Sequence, residues 1–107
     1  MKISVILAVF NEDKYLEKCL QTLDKQKQVD YEVIIVDDGS HKQLSASSFQ
    51  LSDKKKFRFF RIKHGGTAVA RNFGAENAQG KILVFIDGDM DFIPSDKKLR
   101  IYVDENI

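Results

Sequence analysis

Apolar residues gather along this chain in short runs that do not alternate with polar ones. Ile3–Val9 (ISVILAV), 33–36 (VIIV) and 82–86 (ILVFI) are dominated by Ile, Val and Leu. Runs that are apolar on both faces predict strands of a parallel sheet covered by helices on each side. A fourth run, FRFFRIK at 57–63, mixes charge in at roughly alternate positions. It predicts a strand nearer the edge, with Arg58 and Lys63 turned to solvent. Between the strands the period changes. In NEDKYLEKCLQTLDKQ (11–26), Tyr15, Leu16, Cys19, Leu20 and Leu23 share one helix face, which places Cys19 in the core. Asn11 suits the N-cap of that helix, and Glu12 and Asp13 suit the positive end of its dipole. A second helix fits TAVARNFGAENAQ (67–79), stopped by Gly80. Its inner face is small (Ala68, Ala75, Ala78), so it can lie close to the sheet. The stretch 41–56 is Ser- and Lys-rich and, with Leu44, Phe49 and Leu51, holds a short helix at best.

The order β-α-β-(α)-β-α-β predicts an α/β fold: a Rossmann-like, doubly wound, mostly parallel sheet with flanking helices. At 107 residues and 43% hydrophobic, the chain matches one domain with its own core. A net charge of +1 supplies no global field toward nucleic acid or anionic membrane. The apolar runs are too short to span a bilayer, and the start lacks the layout of a signal peptide. The single cysteine excludes an internal disulfide and suits a reducing compartment, so the expected location is cytoplasmic.

Doubly wound sheets bind ligands beyond the carboxyl ends of their strands, and here acids follow each buried strand. Asn11-Glu12 lies after the first, Asp37-Asp38-Gly39-Ser40 after the second, and Asp87-Gly88-Asp89 with Asp91 after the last. Alternate acids in an extended loop can point at one ion, and oxygen-only ligands suit Mg²⁺ or Mn²⁺. A solvated acidic turn is the plainer reading of the same residues. The paired aspartates can accept hydrogen bonds from ribose hydroxyls or a base N–H; a strand followed by an Asp-Gly turn explains only one of them. In HGGTAVARNFGA, Gly65 and Gly66 at a helix start let backbone N–H groups approach an anion, with Arg71 near enough to neutralise phosphate. The alternative is a loop whose glycines serve only the turn, with Arg71 in a surface ion pair. The basic and aromatic stretch DKKKFRFFRIK fits an edge strand after a solvated Lys turn better than a nucleic-acid or membrane surface. His41 and His64 have no companion at ligand spacing and are not assigned to a metal.

Taken in order, ISVILAVFNEDKYLEKCLQTL, YEVIIVDDGS, HGGTAVARNFGAENAQGKILVFIDGD and the residues up to Pro94 resemble the N-terminal half of a GT-A-fold glycosyltransferase of family 2. The resemblance implies a nucleotide-sugar site in which Ala8, Phe10 and Glu12 border base and ribose and Asp38 bonds the base. Gly65 and Arg71 would lie beside the nucleotide. Asp87, Gly88 and Asp89 match the Asp-x-Asp element that holds ribose and metal, and Asp91 stands in for a further acid where Met90 interrupts the usual pattern. The implied donor is a UDP-sugar ahead of a GDP-sugar, the metal Mg²⁺ or Mn²⁺, and the acceptor a hydroxyl attacked with inversion. No nucleic-acid partner is implied. In this chain His41-Lys42 follows Ser40 in place of Thr-Asp, and His64 stands where Asn is common.

The family continues past this length with an acceptor-binding half that carries the catalytic base. The expectation is therefore one nucleotide-sugar-binding domain over 1–107, ending inside the first helix after the metal motif. No catalytic residue is assigned and the isolated chain is expected to be inactive. A full-length protein would work in the cytoplasm, at the inner face of the membrane. The competing expectation is a non-catalytic fragment or binding module completed by a partner chain, self-associating through an uncovered sheet edge.

Overall fold

A computed structural model describes residues 2–11, 13–26, 30–42, 49–87 and 102–104, with 13–15, 87 and 102–104 described by backbone alone. Five strands form one sheet: β1 (Ile3–Val9), β2 (Tyr31–Asp37), β3 (Phe57–Arg61), β4 (Ile82–Asp87) and β5 (Tyr102–Asp104). Their spatial order is β3-β2-β1-β4-β5. The first four are parallel, and β5 runs antiparallel beside β4, with Val84 opposite Val103. Two helices, α1 (Asp13–Asp24) and α2 (Thr67–Asn77), flank the sheet. Among the described residues, no helix is long and apolar enough to cross a membrane.

The period-2 geometry of the strands sorts their side chains between two cores. Val5, Leu7, Val9, Val33 and Ile35 pack with Leu16, Cys19, Leu20 and Leu23 of α1. Ile6, Ile34, Val36 and Leu83 pack with Ala70 of α2, with Phe60, Phe73 and Phe85 around them. Helix α2 lies close: a Cβ on Gly74 would stand 2.6 Å from Ile6 Cγ2. The intimate contact is thus made by Ala70 and Gly74, whereas Ala68 of the expected inner face is exposed.

The amino ends of the strands are joined by a buried polar cluster. Ser4 Oγ donates to Glu32 Oε2 at 2.6 Å, Gln79 N to the same oxygen at 2.7 Å, and Arg58 Nη1 to Oε1 at 2.9 Å. Arg58 Nη1 also donates to Asn77 O at the end of α2 (2.9 Å), and Gly80 N to Ser4 Oγ (2.8 Å). Arg58 therefore faces this cluster and not open solvent. Burial alone would raise the Glu32 carboxyl, but the hydrogen bonds from Ser4, Gln79 and Arg58 outweigh it and hold the group below its usual range.

The chain end departs from expectation. Residues 102–104 form β5 where the continuation of a helix was anticipated. The anticipated start of that helix, after Pro94, lies outside the described residues. Of the 41–56 stretch, 43–48 also lie outside them, and Lys54–Lys56 form a 3-10 turn.

Candidate functional site

Four parallel strands present their carboxyl ends on one side, and the order 3-2-1-4 makes β1 the point where the winding reverses. Ala8 is the register partner of both Val36 and Asp87, so the ends of β1, β2 and β4 are level. The loops after β1 and β2 are tied together there: Asp38 N donates to Val9 O at 2.8 Å, Asn11 N to Ser40 Oγ at 2.8 Å, and His41 N to Asn11 Oδ1 at 2.9 Å. Asn11 holds a left-handed backbone, φ 55°, which Asn tolerates better than most residues. Its side chain thereby serves the next loop.

The two aspartates have different surroundings. Asp37 Oδ1 accepts from Ser40 N at 2.9 Å, and Oδ2 from Arg61 Nη1 at 3.1 Å. Arg61 also donates from Nη2 to Ser40 O at 2.7 Å, so one guanidinium bridges both ends of the turn. Asp38 reaches the other way: Oδ1 accepts from Gly65 N (2.8 Å) and Oδ2 from Gly66 N (2.9 Å). His64 Nδ1 lies 2.9 Å from Asp38 Oδ2 and 3.1 Å from Asp38 O; both are acceptors, so Nδ1 carries the proton. The His64 ring stacks on Phe10 with centroids 4.3 Å apart and planes at 25°. Gly39, at φ +77°, has only 2.9 Å between a would-be Cβ and His64 N, so the turn both needs the left-handed region and has no room for a side chain.

The expected site residues thus divide. Ala8, Phe10 and Asp38 come together with Val9 and Thr67 around a hollow of about 30 Å³. Gly65 joins them through its bond to Asp38. Arg71 lies one turn into α2 and lines a separate cleft of about 280 Å³ with Ala68, Asn72 and Phe85. Asp87 ends β4 at the level of Ala8 and is placed by backbone alone. Glu12, Gly88, Asp89 and Asp91 lie outside the described residues. Among the described residues no three His, Cys, Asp or Glu side chains converge to hold a metal. The run of acids at β4's end still gives the hard oxygen donors that Mg²⁺ or Mn²⁺ takes, and its first member is delivered to the same sheet edge as Asp38.

Arg61 and His64 were not anticipated as members of the site. A signal for Arg61 existed: Asp37 and Arg61 are direct register partners on β2 and β3, an opposite-charge pair once the strands are aligned. For His64 the signal was its place directly before Gly65-Gly66; its contacts were not legible, because its partners come from two other loops.

Residues 4–102 match the description Glycosyl transferase family 2. The chain belongs to that family. Its fold is that of the GT-A glycosyltransferases, by likeness to S. aureus TarS 1–349 solved with UDP-GlcNAc: TM-score 0.73, 31% identity, covering 83% of this chain and 27% of that one. The mannosyltransferase PcManGT of Pyrobaculum calidifontis, solved with GDP-Man and Mn²⁺, shares the fold at TM-score 0.69 and 24% identity, over 82% of this chain and 27% of that one. Among curated relatives, an uncharacterized glycosyltransferase of Rickettsia felis is 32% identical over 106 residues, 98% of this chain and 18% of its own length. One of Haemophilus influenzae is 38% identical over 97 residues, 89% of this chain and 38% of its own. The family 2 chain therefore spans 18% and 38% of the lengths of these two curated relatives.

Proposed function

We propose that residues 1–107 form one nucleotide-sugar-binding domain, the donor half of an inverting, metal-dependent glycosyltransferase. The observation that carries this reading is the meeting of Phe10, Asp38 and the Gly65-Gly66 turn where β1 and β4 deliver Ala8 and Asp87 side by side. Family membership and the likeness to TarS, which was solved with UDP and with UDP-GlcNAc, support it.

In this reading Ala8, Phe10 and Glu12 border base and ribose. Asp38 accepts an N–H of the base through its carboxylate. Gly65 lets the backbone approach the nucleotide, and Arg71 faces the diphosphate from its cleft beside β4. Asp87, Asp89 and Asp91, with Gly88 between the first two, would hold Mg²⁺ or Mn²⁺, which when bound stabilises charge on the departing diphosphate. The donor is a UDP-sugar ahead of a GDP-sugar. An acceptor hydroxyl attacks the anomeric carbon, and its proton goes to a base outside residues 1–107. The domain alone therefore has little or no transferase activity and self-associates through sheet edge that the acceptor half would cover, while the full-length protein works in the cytoplasm at the inner face of the membrane.

Calorimetric titration of UDP and of GDP, each with and without Mn²⁺, tests the assignment. Mn²⁺-dependent binding that disappears in Asp89→Ala is the expected result. A folded chain that binds neither nucleotide with either metal condition would overturn it.

A further inference from the structure

The hollow beside Ala8, Phe10 and Asp38 holds about 30 Å³, room for one or two waters and far too little for a nucleobase. The space over Phe10 is taken by a side chain of the protein itself. The His64 imidazole lies flat over Phe10 at 4.3 Å, and its Nδ1–H points at Asp38 Oδ2. These are an aromatic stack on Phe10 and a ring N–H donated to Asp38. They are the two contacts that an imino-bearing base would make with the same pair of residues.

We propose that His64 is an internal occupant of the nucleobase subsite, a built-in competitor that the donor nucleotide must displace. The inference rests on the donor-site reading above. The surroundings favour a side chain that can leave. His64 is 59% exposed in its side chain, so swinging out costs little burial. Asp38 keeps both glycine N–H donors when the imidazole departs, so the loop is not dismantled. Phe10, 38% exposed even under the imidazole, then offers its face to the incoming ring. Until that happens the stack shields Phe10 and part of the Asp38 charge from water. Displacement lowers the apparent affinity by the fraction of molecules already open: a stacked state holding nine molecules in ten weakens binding about tenfold.

The test is calorimetric titration of UDP with Mn²⁺ into the 107-residue chain, its His64→Ala variant and its His64→Asn variant, with the His64 ring protons of the parent followed by NMR. His64→Ala should bind UDP about three- to tenfold more tightly. His64→Asn, which keeps a side-chain N–H for Asp38 but has no ring to stack, should fall between. In the parent, the imidazole protons should be shifted upfield by Phe10 and lose that shift as UDP saturates. Equal or weaker binding by His64→Ala, or imidazole signals unmoved at saturation, overturns the proposal and leaves the donor site standing. No UDP binding by any of the three proteins overturns the donor site, and the proposal with it.

Discussion

Asp37 and Asp38 are adjacent, both buried, and do opposite jobs. Asp37 spends its oxygens on its own turn, through Ser40 N and Arg61. Removing Arg61 leaves a buried carboxylate with one fewer donor and frees the Ser40 carbonyl. The guanidinium is 40% exposed, so Arg61→Ala should cost only about 1–2 kcal/mol. Arg61→Lys, which cannot span Asp37 and Ser40 at once, should recover less than half of that. Urea midpoints measured at constant slope decide the point. The Asp-Asp-Gly-Ser letters are legible in the sequence as a candidate site. Which aspartate faces inward is not, because that depends on an arginine from the next strand.

Glu32 gives a pH dependence of definite sign. Its carboxyl is held below the usual range in the fold, so it adds stability above its unfolded pKa, and that addition is lost as pH falls through the lowered folded value. Glu32→Gln turns an amide N–H₂ toward either Arg58 or the Ser4 and Gln79 donors, and should cost about 2 kcal/mol at pH 7. The gap between parent and variant should narrow as pH drops below about 4. A gap of constant size from pH 7 to pH 3 would mean that the charge at Glu32 contributes nothing.

At the scale of elements, the apolar runs name all four parallel strands and the two periodic segments name both helices. The shortfalls have physical causes. Strand β2 runs over Tyr31–Asp37 and not merely 33–36, since Glu32 and Asp37 are polar residues made tolerable inside by Arg58, Ser4, Ser40 and Arg61. Strand β3 stops at Arg61, two residues short of expectation, although Ile62 N still donates to Asp37 O. Strand β5 was illegible because pairing with β4 supplies its order and three residues carry no periodicity. Helix α2 makes the element-scale prediction. A glycine inside a helix ordinarily costs about 1 kcal/mol against alanine, so Gly74→Ala would stabilise an isolated helix. Here the new methyl meets Ile6 Cγ2 at 2.6 Å and Val36 Cγ2 at 3.3 Å. Both neighbours are β-branched and stiff. Overpacking of about 1–3 kcal/mol should win, lowering the melting temperature, and Gly74→Val should lower it further.

Taken whole, the molecule has two poles. The amino ends of its strands are closed by the Ser4, Glu32 and Arg58 cluster, and the carboxyl ends carry the candidate site. The candidate site was legible at the second pole because its acids and glycines fall at strand ends. The first was hidden, because a serine, a glutamate and an arginine scattered over three strands form no local pattern. The poles share one sheet, and Cys19 can report whether they share one unfolding event. It is buried against the face that α1 covers, and burial pushes its thiol up to about 12. It should resist a thiol reagent in the native state and react only through opening. The Glu32 cluster lies on the opposite face, with α2. If the sheet opens as one unit, Glu32→Gln will speed Cys19 labelling about tenfold for each 1.4 kcal/mol it costs. If the α1 face opens separately, the labelling rate will stay unchanged while the urea midpoint falls. The first outcome is expected because β1 and β2 contribute alternate side chains to both, and neither core survives without the strands it shares.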